Sequence, residues 1–348
     1  MFSLRSSLIT CVVATLSAAC SFDSSGVTYS DAGANSPDAP FPADARVNDA
    51  PPGTPDAMAP IDAAPPIDSA LPDFDEDGVP DISDNCVQTP NADQANEDSD
   101  VFGDACDNCP HITNPTQADT GETLNGGTAD GIGDDCDPRP DGDGDVMLVF
   151  DGFNGSTLNP MWQNGPGTGS DTWELTGTGF LRQPMTDVVS RSLMYMGTNE
   201  SQAIVTTRFQ AVVVAPATDP GDVSRSVGPI GAWADGTDLG SGYACLHHLN
   251  PSDLAAGTEL SLARYDDSGG VQLDFTPLGW TLQPATVYAS ALYWNGIDDE
   301  QGCSGVSTGF ATETTAGDDD TYASGTFGVR TYGVSAQFAY VVIYQLGF

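Results

Sequence analysis

Residues 73–86 read Asp73-Phe-Asp75-Glu-Asp77-Gly78-Val79-Pro-Asp81-Ile-Ser-Asp84-Asn85-Cys86. Carboxylates fall at every second position, and a glycine then stands where the backbone must turn sharply. Val79 offers a main-chain carbonyl, and Asp81 and Asp84 complete a set of hard oxygen donors. Hard divalent cations are held by about six to eight such oxygens. A stretch of this kind folds around ions instead of around an apolar core.

The spacing is that of an EF-hand calcium loop, with two differences. The last position is Asp84, whose short side chain reaches a bidentate pose less easily than Glu. The flanks are a Pro/Ala-rich tract and a cysteine, not two amphipathic helices. The ion-binding chemistry therefore sits on another scaffold. The motif recurs in degraded form as Asn96, Asp98 and Asp100, then Gly103-Asp104-Ala-Cys106-Asp107. Asp107-Asn-Cys109 repeats the D-N-C step of residues 84–86. Asp130-Gly-Ile-Gly133-Asp134-Asp-Cys136-Asp137 repeats the G-D-x-C-D step, and Asp141, Asp143 and Asp145 close the segment.

This alternation, with N-x-x-Q between (Asn91 to Gln94, Asn114 to Gln117), resembles thrombospondin type 3 repeats over residues 73–145. The resemblance implies calcium as cofactor. Its candidate ligands are Asp73, Asp75, Asp77, Asp81, Asp84, Asn96, Asp98, Asp100, Asp104, Asp107, Asp119, Asp130, Asp134, Asp137, Asp141, Asp143 and Asp145. There are two departures. Val101 replaces the glycine after Asp100, and residues 120–129 stretch the third loop, leaving open whether a third site is complete. Residues 73–145 hold twenty-one Asp or Glu against one basic residue, Arg139. Such a segment cannot fold against its own repulsion and backbone entropy without bound cations and cross-links. A disordered acidic tail is the alternative, but charge alone does not account for the Gly and Cys positions.

The whole chain has 348 residues and a formal net charge of −41. All nine basic residues are Arg. Nucleic acid is excluded as a partner, because phosphate is repelled and no basic patch exists.

Residues 1–19 read as a secretory signal peptide: Arg5, an apolar run from Leu8 to Ala19, then Cys20. Leu16-Ser-Ala-Ala19-Cys20 resembles a bacterial lipobox, which implies cleavage before Cys20, lipid on Cys20 and a membrane anchor. Ordinary cleavage after Ala19 is the alternative. Six cysteines then remain, an even number suited to disulfides in an exported chain; they allow fifteen pairings. The type 3 resemblance implies Cys86–Cys106 and Cys109–Cys136, with Cys245–Cys303 left for the last domain. Cys106-x-x-Cys109 also fits a zinc half-site, but no second close pair completes it.

Residues 20–72 are Ala-, Pro- and Asp-rich without hydrophobic period, and read as a disordered tether. At ~3.1 Å per residue it reaches at most ~150 Å. From Val146 the chain changes character. Period-two sets appear at Val205, Thr207, Phe209, Ala211 and Val213, at Val271, Leu273 and Phe275, and at Val287, Ala289, Ala291 and Tyr293. Phe338 to Tyr344 is a final strand apolar on both faces. Residues 146–348 thus read as a two-sheet antiparallel sandwich, making the chain mainly β. The opening Phe150-Asp-Gly-Phe153 through Trp162, and the ending Gly325 to Tyr344, resemble concanavalin A-like (laminin G-like) jelly rolls. That resemblance implies that the first and last strands pair.

The glucanase branch of that superfamily carries E-x-D-x-x-E on one strand, and no segment here matches. Walker and H-E-x-x-H sequences are absent too, so the chain reads as a non-enzyme. His247 and His248 are adjacent and point to opposite faces of a strand. Trp233, Tyr243, Trp280 and Trp294 are the candidate ligand-binding aromatics, because sugar rings stack on exposed aromatic faces; core packing is the alternative for each. The reading is a lipid-anchored, calcium-binding protein of a Gram-negative cell surface or outer membrane. Its sandwich binds a glycan or another surface protein. Alternatives are a calcium-stiffened envelope component without a ligand, and a divergent glycan-acting enzyme.

Overall fold

In the computed structural model, residues 71–347 are described, except 143, 166–172, 188, 217–223, 235–240, 251–256 and 267–268. The signal peptide, Cys20, nearly all of the tether and Asp143 lie outside the described residues.

Residues 73–145 follow turns and bends, with one four-residue helix, α1 (Gly121–Leu124). Two disulfides, Cys86–Cys106 and Cys109–Cys136, cross-link them. Fifteen strands follow: β1 (Val146–Asp151), β2 (Trp162–Asn164), β3 (Glu174–Leu175), β4 (Leu181–Gln183), β5 (Ser190–Glu200), β6 (Gln202–Val214), β7 (Arg225–Ala234), β8 (Ser241–Leu249), β9 (Thr258–Asp266), β10 (Gly269–Pro277), β11 (Val287–Asn295), β12 (Glu300–Ser307), β13 (Glu313–Asp318), β14 (Gly325–Tyr332) and β15 (Val334–Gln345).

They form two antiparallel sheets. The back sheet runs β13-β12-β11-β6-β15-β4-β3, with β1 also on β15; the front sheet runs β10-β9-β8-β7-β14-β5-β2. First and last strands pair, with Val146 opposite Gln345 and Asp151 opposite Val341. The main core lies between the sheets. Val205, Phe209, Leu292, Trp294, Phe338, Val341 and Ile343 come from the back sheet; Leu193, Val227, Tyr243, Leu262, Phe327 and Val329 come from the front sheet. Cys245 of β8 and Cys303 of β12 join the two sheets through this core.

The period-two sets fare unevenly. In β6, Val205, Phe209 and Ala211 face the core, but Val213 is exposed where the β15 register shifts. In β11 the inward set is Tyr288, Leu292 and Trp294; Ala289, Ala291 and Tyr293 lie on the outer side with Ile204 and Val306. In β10 a bulge between Gln272 and Asp274 breaks the alternation. Val271 and Phe275 are exposed on this edge strand, and Leu273 alone packs on the core. There the sheet edges meet: Thr315 Oγ1 donates to Asp274 Oδ2 (2.6 Å) and Thr276 Oγ1 to the Thr314 carbonyl (2.9 Å).

The double-sided strand β15 explains how the repeats attach. Phe338, Val341 and Ile343 point into the sandwich. Tyr340, Val342 and Tyr344 point out and are buried under Cys109, Ile132 and Cys136, with Ile112, Met147 and Phe150 alongside. Repeats and sandwich fall in one compact unit.

Candidate calcium centres

In the first repeat, backbone amides use one oxygen each of Asp73, Asp75 and Asp84 and leave the other without a partner, while Asp77 accepts amides on both oxygens, its Oδ2 from Asn91 N (2.8 Å). Asp77 N donates to Asp75 Oδ1 (3.3 Å), Gly78 N to Asp73 Oδ2 (3.1 Å), Val79 N to Asp77 Oδ1 (2.7 Å) and Cys86 N to Asp84 Oδ1 (2.8 Å). Asp73, Asp75 and Asp77 bring one oxygen each within 4.8 Å of one another. Asp73 Oδ1, Asp75 Oδ2 and Asp84 Oδ2 are buried without a hydrogen-bond partner.

The second repeat copies this wiring. Asp100 N donates to Asp98 Oδ1 (3.0 Å), Phe102 N to Asp100 Oδ1 (2.7 Å) and Cys109 N to Asp107 Oδ1 (2.7 Å). Asp98, Asp100 and Asp107 cluster, with Asp98 Oδ2 and Asp107 Oδ2 unpartnered. Asn96 holds the place of Asp73, and its Oδ1 accepts Ser99 N (2.6 Å). Gly78 and Gly131 take φ of 95° and 96°, whereas Val101 does not enter the left-handed region. The loop start is tied through Ser99 instead, which accommodates the β-branched residue.

The third repeat keeps three anchor points. Gly131 N donates to Asp119 Oδ2 (2.9 Å), Ile132 N to Asp130 Oδ1 (3.1 Å) and Arg139 N to Asp137 Oδ1 (2.7 Å). The inserted residues form α1, which carries Glu122 between Asp119 and Asp134 on one side and Asp130 and Asp137 on the other. Sequence reasoning missed Glu122. Its only signal was a carboxylate inside the stretch that disturbed the pattern.

Five other sequence candidates take different roles. Asp81 and Asp104 stand outside the clusters and close their loops, accepting Phe74 N and Glu97 N (2.8 Å each). Asp134 accepts Thr120 N (2.8 Å) in the same way, yet stays beside Asp119 and Glu122. Asp141 accepts Asn125 Nδ2 (2.9 Å). Asp145 is buried in an ion pair with Arg139 and accepts Gly347 N (2.7 Å), which pins the end of the sandwich to the repeats. A carboxylate already paired with a guanidinium has little left for a metal.

The N-x-x-Q segments brace the clusters. Gln94 Nε2 donates to Asp84 Oδ1 and Asn91 Oδ1 (2.9 Å each), while its Oε1 accepts Asn85 N (2.9 Å). Gln117 does the same with Asp107, Asn114 and Asn108.

Crowded, buried carboxyls resist ionisation when no cation faces them. Burial pushes Asp98 up to about 6, and burial together with the neighbouring Glu122 carboxyl pushes Asp137 up to about 9. Asp75, Asp107, Asp130 and Glu122 are raised as well, by burial first. All-oxygen donors with buried, partnerless carboxylate oxygens fit a hard cation such as calcium. Zinc does not fit the cysteines, because Cys106 and Cys109 are each in a disulfide.

The four candidate ligand-binding aromatics are buried and present no exposed face for a sugar ring. Trp233, Tyr243, Trp280 and Trp294 are 2%, 0%, 8% and 0% exposed. Tyr243, Trp280 and Trp294 belong to the core between the sheets, where alternation turns them inward. Trp233 lies on the outer side of the front sheet with Met194, Ile230, Ala244 and Leu246, and its ring packs 5.9 Å from Tyr265. His247 is fully buried among Phe209, Trp280 and Tyr288, and burial lowers it to about 3. His248 pairs with Glu259 at 3.0 Å. Sequence reasoning overlooked Gly-Val-Ser-Thr-Gly at residues 305–309, which has the spacing of a nucleophile elbow. Ser307, however, ends β12 and leads into a turn, not a helix, so the elbow geometry is missing.

A thrombospondin type 3 repeat model matches residues 72–94. None of the curated proteins compared matches the chain. The solved structures similar to it include these three. The carbohydrate binding module CBM66 from Bacillus subtilis is 11% identical with a TM-score of 0.37, over 51% of this chain and 91% of that one. The Lotus tetragonolobus seed lectin is 10% identical with a TM-score of 0.40, over 55% and 96%. The exoplasmic/lumenal domain of VIP36, in a Ca2+/Man2-bound form, is 10% identical with a TM-score of 0.42, over 59% and 88%. The sandwich assignment itself rests on the strand order and register given above.

Proposed function

We propose that this chain is an exported calcium-binding protein of the cell surface, anchored through lipid on Cys20. Its repeats and sandwich work as one calcium-dependent body. The observation that carries the calcium reading is the set of buried carboxylate oxygens that have no hydrogen-bond partner: Asp73 Oδ1, Asp75 Oδ2, Asp84 Oδ2, Asp98 Oδ2, Asp107 Oδ2, Asp119 Oδ1 and Asp137 Oδ2. Leaving charged oxygens buried and unpaired is costly, and a cation removes that cost. Asp73, Asp75, Asp77 and Asp84 hold the first ion, and Asp98, Asp100 and Asp107 the second. The bound ions supply counter-charge and nothing else; no step of chemistry is assigned to them. Calorimetric titration of the chelator-stripped full chain tests the reading. Absence of calcium uptake at millimolar concentration would refute it.

The anchor is supported by the lipobox-like run before Cys20 and by the even cysteine count that remains. Mass spectrometry of the mature N-terminal peptide tests it. An unmodified Cys20 removes the anchor. No helix among the described residues is long and apolar enough to cross a membrane.

A second reading gives the sandwich a ligand, a glycan or another surface protein. It draws on the outer side of the front sheet, opposite the side that the repeats cover. There the Arg330 guanidinium carbon lies 3.9 Å from the Tyr265 ring centroid and 5.6 Å from that of Trp233. A glycan array probed with the calcium-loaded chain tests this reading. If the wild-type chain retains no glycan, the glycan form of this reading fails.

A further inference from the structure

The third repeat lacks the carboxylate that Asp75 and Asp98 supply in the first two. Its anchors otherwise correspond: Asp119 to Asp73 through the amides of Gly131 and Gly78, Asp130 to Asp77 and Asp100, and Asp137 to Asp84 and Asp107. We propose that Glu122, on the helix inserted into this loop, is a metal ligand that replaces the missing aspartate and completes a third calcium centre with Asp119, Asp130 and Asp137. The proposal rests on the calcium reading above and extends it to a residue outside the repeat pattern.

Two independent observations carry it. Glu122 is 0% exposed, and neither of its carboxylate oxygens has a hydrogen-bond partner. A glutamate on an exposed one-turn helix would otherwise reach solvent, as Thr123 and Leu124 beside it do. The second observation is that α1 is fastened in the orientation that buries Glu122. Thr120 N, Thr120 Oγ1 and Gly121 N all donate to Asp134 (2.8, 2.9 and 3.0 Å). Gly121 presses on Pro140, where a Cβ would meet the carbonyl oxygen at 1.8 Å. Asn125 Nδ2 bridges the Gly121 carbonyl (3.0 Å) and Asp141 Oδ1 (2.9 Å). A segment held this firmly, with its acidic side chain turned inward among four aspartates, is built for a cation. Glutamate also suits the place, because its extra methylene reaches from a helix set back from the loop, and it gives a bidentate pose more readily than aspartate.

The test is calcium stoichiometry and affinity of the full, disulfide-bonded chain by flow dialysis. Wild type is compared with Glu122→Gln, Glu122→Asp and the exposed control Glu76→Gln. The expected result is one ion fewer per molecule, or at least a tenfold weaker site, in Glu122→Gln, with a smaller loss in Glu122→Asp. Glu76→Gln should match wild type. If Glu122→Gln fails to form the Cys109–Cys136 disulfide, Glu122→Asp decides, and the weakening of one site is still required. Wild-type stoichiometry and affinities in both Glu122 variants overturn the proposal while leaving the first two centres standing. Failure of the wild-type chain to take up calcium overturns the underlying reading as well.

Discussion

His111 of the second repeat lies over Tyr340 of the last strand, their ring centroids 4.9 Å apart. Phe150 and Tyr344 complete the aromatic seat at 6.3 and 6.4 Å. Burial lowers His111 to about 3, so it is neutral here, and neither ring nitrogen has a hydrogen-bond partner. The contact joins the cation-binding segment to the back sheet.

His111→Ala should therefore loosen the repeats from the sandwich, with a loss of about 1–3 kcal/mol. His111→Phe keeps the ring and removes two buried, unpaired nitrogens, so it should be neutral or stabilising. Thermal unfolding of the two variants, read with limited proteolysis of residues 73–145, checks the opposite signs. Equal destabilisation by both would contradict this account of the seat.

The glycine of each G-D-x-C-D step is required by close approach. A Cβ on Gly133 would lie 2.5 Å from Asn108 Oδ1 and 2.7 Å from Cys109 Sγ. Gly133→Ala should cost about 1–3 kcal/mol and lower the yield of the Cys109–Cys136 bond. Gly78 has open space but a φ of 95°, so Gly78→Ala should cost only about 1–2 kcal/mol of local strain. Disulfide mapping after refolding separates the two.

How much of this was legible beforehand depends on what each pattern encodes. Alternating carboxylates, D-N-C steps and cysteine order specify local wiring, and Asp73, Asp75, Asp77, Asp98, Asp100 and Asp107 come together as that wiring requires. Period two specifies that a strand has two faces, not which one is inward. Ala289, Ala291 and Tyr293 were readable as a set, yet that set is the outer one. The two apolar faces of β15 are legible as an anomaly, and their cause, a second module on the outer face, is a tertiary fact. Glu122 was hidden because it enters its cluster from an insertion. Trp280 and Trp294 look like surface aromatics beside turn residues, but the chain's path carries both into the core.

Proton and calcium compete for the same oxygens, which gives a pH dependence whose sign reverses with the metal. Burial raises Asp98 to about 6 and Asp137, with Glu122 beside it, to about 9. Both lie above the usual carboxylate range near 4. A raised folded value favours the protonated state, so this stability is complete below about pH 4 and is lost as pH rises through 6 to 9. Chelated protein should melt at a lower temperature at pH 8 than at pH 5.5. Calcium-loaded protein should gain affinity over the same rise, because the ligands shed their protons. Melting curves at both pH values, with and without chelator, check the crossing. Parallel curves would contradict it.

The Cys245–Cys303 bond spans 58 residues of sequence and ties β8 to β12 between the sheets. Replacing both cysteines by serine should cost about 2–4 kcal/mol, with calcium stoichiometry unchanged because the acidic clusters found among the described residues all fall in residues 73–137. Urea unfolding measures the loss. A change in ion count would show that sandwich and repeats are coupled more tightly than their contact through β15 accounts for.

The central claim is that buried carboxylates make the fold of residues 73–145, and their seat on β15, depend on calcium. The most direct measurement is scanning calorimetry of the full, oxidised chain across a calcium series at pH 7.5. The account predicts a melting transition that rises steadily with free calcium, equivalent to about 1.4 kcal/mol per tenfold increase for each ion released on unfolding. It also predicts that chelator separates an early, low-temperature loss of the repeats from the later melting of the sandwich. A single transition at one temperature, indifferent to calcium and to chelator, would contradict it.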